Sequence, residues 1–152
     1  MTLHTLLVDA KEEKISSEKA KKFILSEENG AESIFIGRVR NENNGKKVKA
    51  VTYDAHDKAV IKSFKSICDD AKSKFDKNAK VFLEHAKGYV LVGEISILIA
   101  VGSGHRDEAF KICRYILEEI KHQSPIWKKE HYVEGKEEWL PGHSLRPKEE
   151  VK

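Results

Sequence analysis

Two segments with helical periodicity, separated by three strand-like segments, constrain the fold of this chain more than any other feature. In residues 56–75 and 105–122, apolar side chains recur every three or four positions, as they do on amphipathic helices. Between them, residues 81–85, 88–92 and 94–101 are rich in apolar and β-branched residues and are separated by glycine-marked turns, which is typical of strands. This pattern predicts strands and helices packed into an α+β domain.

Three further strands and a short helix are predicted before the first long helix. The strands are expected at residues 2–9, 31–40 and 48–55, which are apolar or β-branched, and a polar Asn-Gly turn joins the last two as a hairpin. The short helix begins after Ser16, a favoured N-cap residue, and stops before Gly30.

The chain after the second long helix is expected to form a short hairpin. Pro125 ends the helix, and residues 126–140 turn back on themselves near Glu134 and Gly135. Residues 142–152 are polar and are expected to fray. We therefore predict a single α+β domain over residues 1–141, with mixed strands and about three helices.

The composition fits a single cytoplasmic domain without a membrane segment. The 152 residues are 39% hydrophobic and 35% charged, and the formal net charge of +3 is too small to imply nucleic-acid binding by itself. The longest apolar run, residues 95–101, is too short to span a bilayer, and the first residues lack the features of a secretory signal. Cys68 and Cys113 lie on or beside the helical apolar stripes, so we expect buried free thiols.

The glycine turn before the second long helix is a candidate anion-binding site. Residues 102–106 read Gly-Ser-Gly-His-Arg, and a helix N-terminus offers free backbone N–H groups to an anion. The alternative is a plain connection whose glycines merely turn the chain. His105 and Arg106 favour the functional interpretation, because cations at a helix N-terminus oppose the helix dipole and are not explained by stability.

Two lysines near the end of this helix are candidates for chemistry. Lys121 lies on the flank of the apolar stripe, where it could serve proton transfer or covalent chemistry, although a lysine that extends to solvent is the more common interpretation. Lys128 and Lys129 follow Pro125 and Trp127 on a predicted strand. Because side chains alternate along a strand, Lys128 is expected to face the site and Lys129 the solvent.

Other motifs add little from the residues alone. Arg38 and Arg40 are two positions apart near the exit of a strand and should share a face, but surface arginines are common. The seven histidines lack metal-ligand spacing, and the sequence contains no Cys-x-x-Cys, His-Glu-x-x-His or serine nucleophile motif. We therefore expect neither a metal nor a cofactor.

Four stretches of the sequence resemble the large, catalytic subunit of molybdopterin synthase. They lie within residues 30–41, 45–53, 102–110 and 121–130, and the similarity extends from about residue 30 to residue 139. The last two stretches, in that order and at that separation, are specific to the family. The resemblance implies an α/β hammerhead fold with an added antiparallel sheet.

The resemblance also implies a reaction and its partners. The family enzyme converts cyclic pyranopterin monophosphate to molybdopterin by adding two sulfurs as a dithiolene. Each sulfur arrives as a thiocarboxylate on the C-terminal glycine of a small ubiquitin-like subunit, whose tail enters the large subunit. Two large subunits form a central dimer within a heterotetramer, and the family's pocket draws on both protomers.

Five residues of this chain match family site residues. Lys121 and Lys128 match the catalytic lysines, while Arg40, His105 and Arg106 match residues associated with the anionic groups of the substrate. There are two departures. Relatives often carry His-Arg where this chain has His85 and Ala86, which leaves open whether the neighbouring Lys87 replaces the arginine, and the tail after Glu134 diverges, so no later site residue is assigned.

The sequence is also compatible with two other functions. A non-catalytic module that binds an anion, a nucleotide or RNA would need aromatic residues exposed among the cations, for which Trp127 beside Lys128 is the only candidate. A scaffold that pairs with a ubiquitin-like protein without turnover would fit the departure at Ala86, but not the retention of Lys121 and Lys128.

Overall fold

The computed structural model describes residues 1–134 and 137–139, and it has the predicted α+β architecture. The three helices match the predicted number and pack against a mixed sheet. They are α1 (Ser17–Ile24), α2 (Asp57–Phe75) and α3 (Arg106–Gln123). The strands are β1 (Leu3–Asp9), β2 (Ala31–Arg38), β3 (Glu42–Asn43), β4 (Lys46–Ala55), β5 (Lys80–Leu91), β6 (Ile95–Ser103), β7 (Ile126–Tyr132) and β8 (Glu137–Trp139).

The sheet has the strand order β2-β6-β5-β4-β7-β8, with β1 paired to β5 and β3 paired to β4. The β1–β5 pair is parallel, and the other pairs between described strands are antiparallel. This confirms the expectation of mixed strands. The antiparallel pairing of β7 with β8 confirms the predicted tail hairpin. Gly135 in its expected turn, and the tail at residues 142–152, lie outside the described residues.

Strand β5 corrects the sequence-based prediction of two separate strands at 81–85 and 88–92. It is one strand of 12 residues, and Gly88 within it has a φ of +100°. Before Gly88, β5 pairs with β1 and β6, and from Gly88 onward it pairs with β4. The glycine therefore marks a change of partners within a continuous strand, which a sequence pattern does not distinguish from a turn.

The helices bury the faces that their periodicity predicted. The buried side chains on α2 and α3 are Val60, Phe64, Ile67, Cys68, Ala71, Ala109, Ile112, Cys113, Ile116 and Ile120. Both cysteines are free and buried, as expected, and burial raises the pKa of Cys68 to about 12. Neither thiol is therefore a reactive nucleophile at neutral pH.

Several element boundaries differ from the prediction by a few residues. Helix α1 has the expected N-cap, because the Ser16 hydroxyl accepts a hydrogen bond from the Lys19 N–H at 3.4 Å. Strand β2 ends at Arg38 rather than at Arg40, and its register with β6 shifts between Gly37 and Arg38.

No helix of the described chain combines the length and the apolar character needed to cross a membrane.

Candidate functional site

A cavity of about 170 Å³ lies where β2, β4, β5, β6, α3 and β7 meet. Its walls are formed by Phe35, Gly37, Arg38, Tyr53, His85, Ser96, Ile97, Leu117, Lys121 and Lys128. The cavity therefore brings together the two lysines that the sequence singled out. A larger, more open groove of about 870 Å³ is lined mainly by α2 and the C-terminal half of α3, but no predicted site residue lines it.

The positions of the two lysines follow from the elements that carry them. Lys121 lies in the last turn of α3, where the helix dipole favours a cation. Lys128 lies on β7 directly opposite Tyr53 of β4, which also lines the cavity. Because side chains alternate along a strand, Lys129 points to the other face of β7. It was expected to face the solvent, but it is half-buried.

The cations at this site lack partners within the part of the chain that the structure describes. Neither Lys121 nor Lys128 makes a hydrogen bond or an ion pair there, and the same holds for the exposed Arg40. The carboxylate of Glu130, 4% exposed, is already engaged, because it accepts hydrogen bonds from the Asn43 amide and the Tyr132 hydroxyl, both at 3.0 Å. The site therefore has an excess of positive charge.

Electrostatics links Lys128 to two of the other predicted site residues. Burial lowers the pKa of Lys128, and the positive charges of Lys121 and Arg40 lower it further, while Glu130 acts in the opposite direction. Repulsion between cations disfavours the protonated lysine, and a bound anion would reverse that effect. The geometry thus favours an anionic ligand.

Arg38 contributes a further cation that the sequence alone supported only weakly. Its side chain lines the cavity, and its Nη1 donates a hydrogen bond to the Gly93 carbonyl at 2.8 Å. The shift of register between Gly37 and Arg38 occurs at this end of β2, and Arg40 follows beyond the strand. Strand β2 ends at Arg38, and the buried Val39 separates the two exposed arginines, so the expectation that Arg38 and Arg40 share one face stays a prediction.

The structure adds residues to the site that the sequence did not reveal. His85 is 1% exposed, and its ring packs edge-on against Tyr53 with the centroids 5.1 Å apart. Both residues line the cavity, as does Ser96, which the Tyr53 hydroxyl contacts. Their strands are apolar in pattern, so no spacing signal in the sequence separates these three from ordinary sheet residues.

His105 and Arg106 are not at this cavity within one chain. Arg106 begins α3 and Lys121 lies near its end, so the two are about 22 Å apart along the axis at 1.5 Å per residue. His105 instead lines a separate polar cavity of about 360 Å³ with Asp76 and Glu108. His105 and Arg106 can join the two lysines only if a second copy of the chain supplies them.

Lys87, the neighbour of Ala86, lies outside the cavity within one chain. Its ammonium group forms an ion pair with Asp57, with Nζ 2.7 Å from Oδ2, and it does not line the cavity. Ala86 is buried and lines a neighbouring cavity of about 240 Å³ that also includes Arg38. The cations that line the space beside Ala86 are therefore Lys14 and Arg38 rather than Lys87.

The chain is similar to known proteins over most of its length. Residues 10–123 match the family model described as MoaE protein. The molybdopterin synthase catalytic subunit of Synechococcus elongatus is 39% identical over 126 residues, which are 83% of this chain and 76% of that protein.

Two solved structures share the fold. Molybdopterin synthase from Staphylococcus aureus has a TM-score of 0.81 and 30% identity, and the match covers 93% of this chain and 98% of the other. A complex of subunits 1 and 2 of molybdopterin-converting factor from Helicobacter pylori has a TM-score of 0.73 and 21% identity, covering 97% and 96%.

Substitution of Lys128 by Met should stabilise the protein. The change removes a half-buried charge that Lys121 and Arg40 repel, and we expect the melting temperature at pH 7 to rise by about 2–4 °C. Because folding lowers the pKa of Lys128, the charged form penalises the folded state at neutral pH. The gain should therefore shrink as pH rises through that pKa.

Calorimetry of the wild type and two variants checks this expectation. Lys62→Met removes an exposed lysine from α2 and serves as the control, with little expected change. A melting temperature for Lys128→Met at or below that of the control would contradict the charge excess at the site.

Proposed function

The chain belongs to the MoaE protein family, and from this premise we propose that it is the catalytic subunit of a molybdopterin synthase. It is a sulfurtransferase of molybdenum cofactor biosynthesis. We propose that its substrate is cyclic pyranopterin monophosphate, which it converts to molybdopterin. The observation that supports this reaction best is the group of unpartnered cations formed by Lys121, Lys128 and Arg40.

The excess positive charge suits both reactants. A phosphate on the pterin and a thiocarboxylate on a protein terminus are anions, and each is held most strongly by cations in a site that excludes water. The sulfur source lies outside this chain, which agrees with the buried, high-pKa thiol of Cys68. No cysteine of the subunit is needed as a sulfur nucleophile.

The candidate residues have distinct proposed roles. Lys121 stabilises the oxyanion that develops as sulfur leaves the thiocarboxylate, or transfers a proton in that step. Lys128 orients the thiocarboxylate or the pterin, and its lowered pKa leaves it able to gain charge stabilisation when an anion binds. Arg40, with His105 and Arg106, holds the phosphate.

We further propose that the complete site forms between two copies of the chain. One protomer would supply Lys121, Lys128 and Arg40, and the other would supply His105 and Arg106. The reason is that His105 and Arg106 lie at the start of α3, whereas Lys121 lies near its end. A small ubiquitin-like subunit would bind each large subunit and insert its C-terminal tail, giving a heterotetramer. The complex known for Helicobacter pylori supports such a partner. The cytoplasm is the expected location.

The geometry does not favour a non-catalytic RNA-binding module. Lys121 and Lys128 line a small cavity instead of an open face, and Trp127 is half-buried in β7 rather than exposed as a stacking platform. A scaffold without turnover is also not favoured, since both lysines are retained and lie at the same cavity.

Lys121→Ala should nearly abolish product formation. Loss of one preorganised donor to a developing oxyanion lowers the rate by about 10²–10³-fold. The measurement is conversion of cyclic pyranopterin monophosphate to the dithiolene product by mass spectrometry, with a thiocarboxylated small subunit. Lys111→Ala, on the same helix and paired within the described residues with the exposed Asp107, is the matched control and should retain activity. Near-normal turnover by Lys121→Ala, or none by the wild type, would refute the proposal.

Mixing two inactive variants tests the shared site. Lys121→Ala and Arg106→Ala homodimers should each be impaired, whereas a hybrid dimer contains one site with both residues intact. Random exchange of subunits should then restore roughly a quarter of wild-type activity. An absence of recovery, after native mass spectrometry has shown that hybrids formed, would mean that Lys121 and Arg106 do not meet across the dimer.

A further inference from the structure

His85 is the most deeply buried titratable residue of the cavity, and the roles proposed above do not use it. It lies on β5, three residues before Gly88, with 1% of its surface exposed. Its ring contacts the edge of Tyr53 on one side, and the Phe64 ring lies with its centroid 6.4 Å away. These contacts fix the plane of the imidazole, and the residue still lines the cavity.

The hydrogen bonding of His85 determines which ring nitrogen carries the proton. Nδ1 lies 2.7 Å from the Ala86 carbonyl oxygen, which can only accept, so Nδ1 is the donor. Burial lowers the pKa of His85 to about 4, so the ring is neutral at pH 7 and Nε2 carries a lone pair. No residue in the described part of the chain forms a hydrogen bond with Nε2. Nε2 is therefore an acceptor that is left for a ligand.

The other polar groups of the cavity make this acceptor distinctive. Lys121, Lys128 and Arg38 can only donate hydrogen bonds. The Ser96 hydroxyl donates to the Gly37 carbonyl at 3.3 Å and forms a hydrogen bond with the Tyr53 hydroxyl, so these two hydroxyl groups already have partners. A ligand that satisfies the whole cavity must therefore combine an anionic group with a nearby N–H or O–H donor.

The size of the cavity points to a chain terminus rather than to the whole pterin. Its volume of about 170 Å³ is below the range of about 300–1,000 Å³ that is usual for pockets holding drug-sized ligands. The last residue of a polypeptide has a carboxylate and, one residue's length away, a backbone N–H. Capture of a C-terminal carboxylate by fixed donors is a common mode of peptide recognition.

We propose that Nε2 of His85 accepts a hydrogen bond from the backbone N–H of the small subunit's C-terminal residue, while Lys121 and Lys128 hold its terminal anion. This inference rests on the function proposed above, because that function supplies a protein tail as the ligand. His85 is then a specificity-determining residue. It fixes the orientation of the terminal residue, whose acyl carbon carries the sulfur.

The test replaces a single atom of the tail. Small subunit with a carboxylate terminus is prepared by semisynthesis with either a terminal glycine or a terminal glycolic acid, which exchanges the last N–H for an ester oxygen. Binding of both to the wild type and to His85→Asn is measured by calorimetry. We expect the ester to bind the wild type roughly tenfold more weakly, the effect of one lost hydrogen bond.

Two variants of His85 separate this role from a structural one. His85→Asn keeps a donor near Nδ1 but removes the acceptor, so it should bind both tails with the same, weakened affinity. His85→Gln places a carbonyl oxygen near the position of Nε2 and should recover part of the preference for glycine. If one variant does not fold, the other still separates the two roles, and equal affinity of the wild type for the two tails overturns the inference in either case.

The outcomes distinguish failure of this inference from failure of the proposed function. Equal affinity of the wild type for glycine and ester tails would overturn the role of His85 alone. An equal loss on ester substitution in the wild type and in a folded His85→Asn would also overturn it, because the N–H would then have another acceptor. If the wild type binds neither tail, the proposed function fails as well.

Discussion

The half-buried cavity holds more positive charge than the side chains around it neutralise. Lys121 and the exposed Arg40 repel the charge of Lys128, and the nearby carboxylate of Glu130 is engaged by Asn43 and Tyr132. A fold selected for stability alone would pair or expose the charge of Lys128, since burying an unpaired cation is costly. The arrangement of these cations is explained if an anion from outside the chain completes the site.

The scaffold holds these charges in place through its longest strand and its last helix. Strand β5 pairs with β1 and β6 and then, from Gly88, with β4, so it joins the two parts of the sheet at the cavity. The β4–β7 pair sets Lys128 opposite Tyr53, while α3 ends beside it and supplies Lys121. The lysines therefore come from separate elements whose relative positions the core fixes.

The sequence predicted the helices and the importance of the lysines better than it predicted the site as a whole. Periodicity located α2 and α3 because each buries one apolar face, and family motifs identified Lys121 and Lys128. The sequence did not reveal that the strand continues through Gly88, since a glycine is compatible with both a turn and a bend within a strand. His85 was missed because its role depends on contacts with Ala86 and Tyr53 that only the folded sheet creates. His105 and Lys121 are far apart because α3 lies between them. The order of the motifs in the sequence does not show this distance.

NMR of the Lys128 side chain, in the free protein and with the small subunit bound, measures the pKa that shows whether the cavity holds unneutralised positive charge. In the free protein the pKa should lie below that of an ordinary lysine, because burial and the neighbouring cations disfavour the charge. Insertion of an anionic terminus should raise it, since the anion favours the protonated lysine. An ordinary pKa in the free protein that does not change on binding would contradict the account.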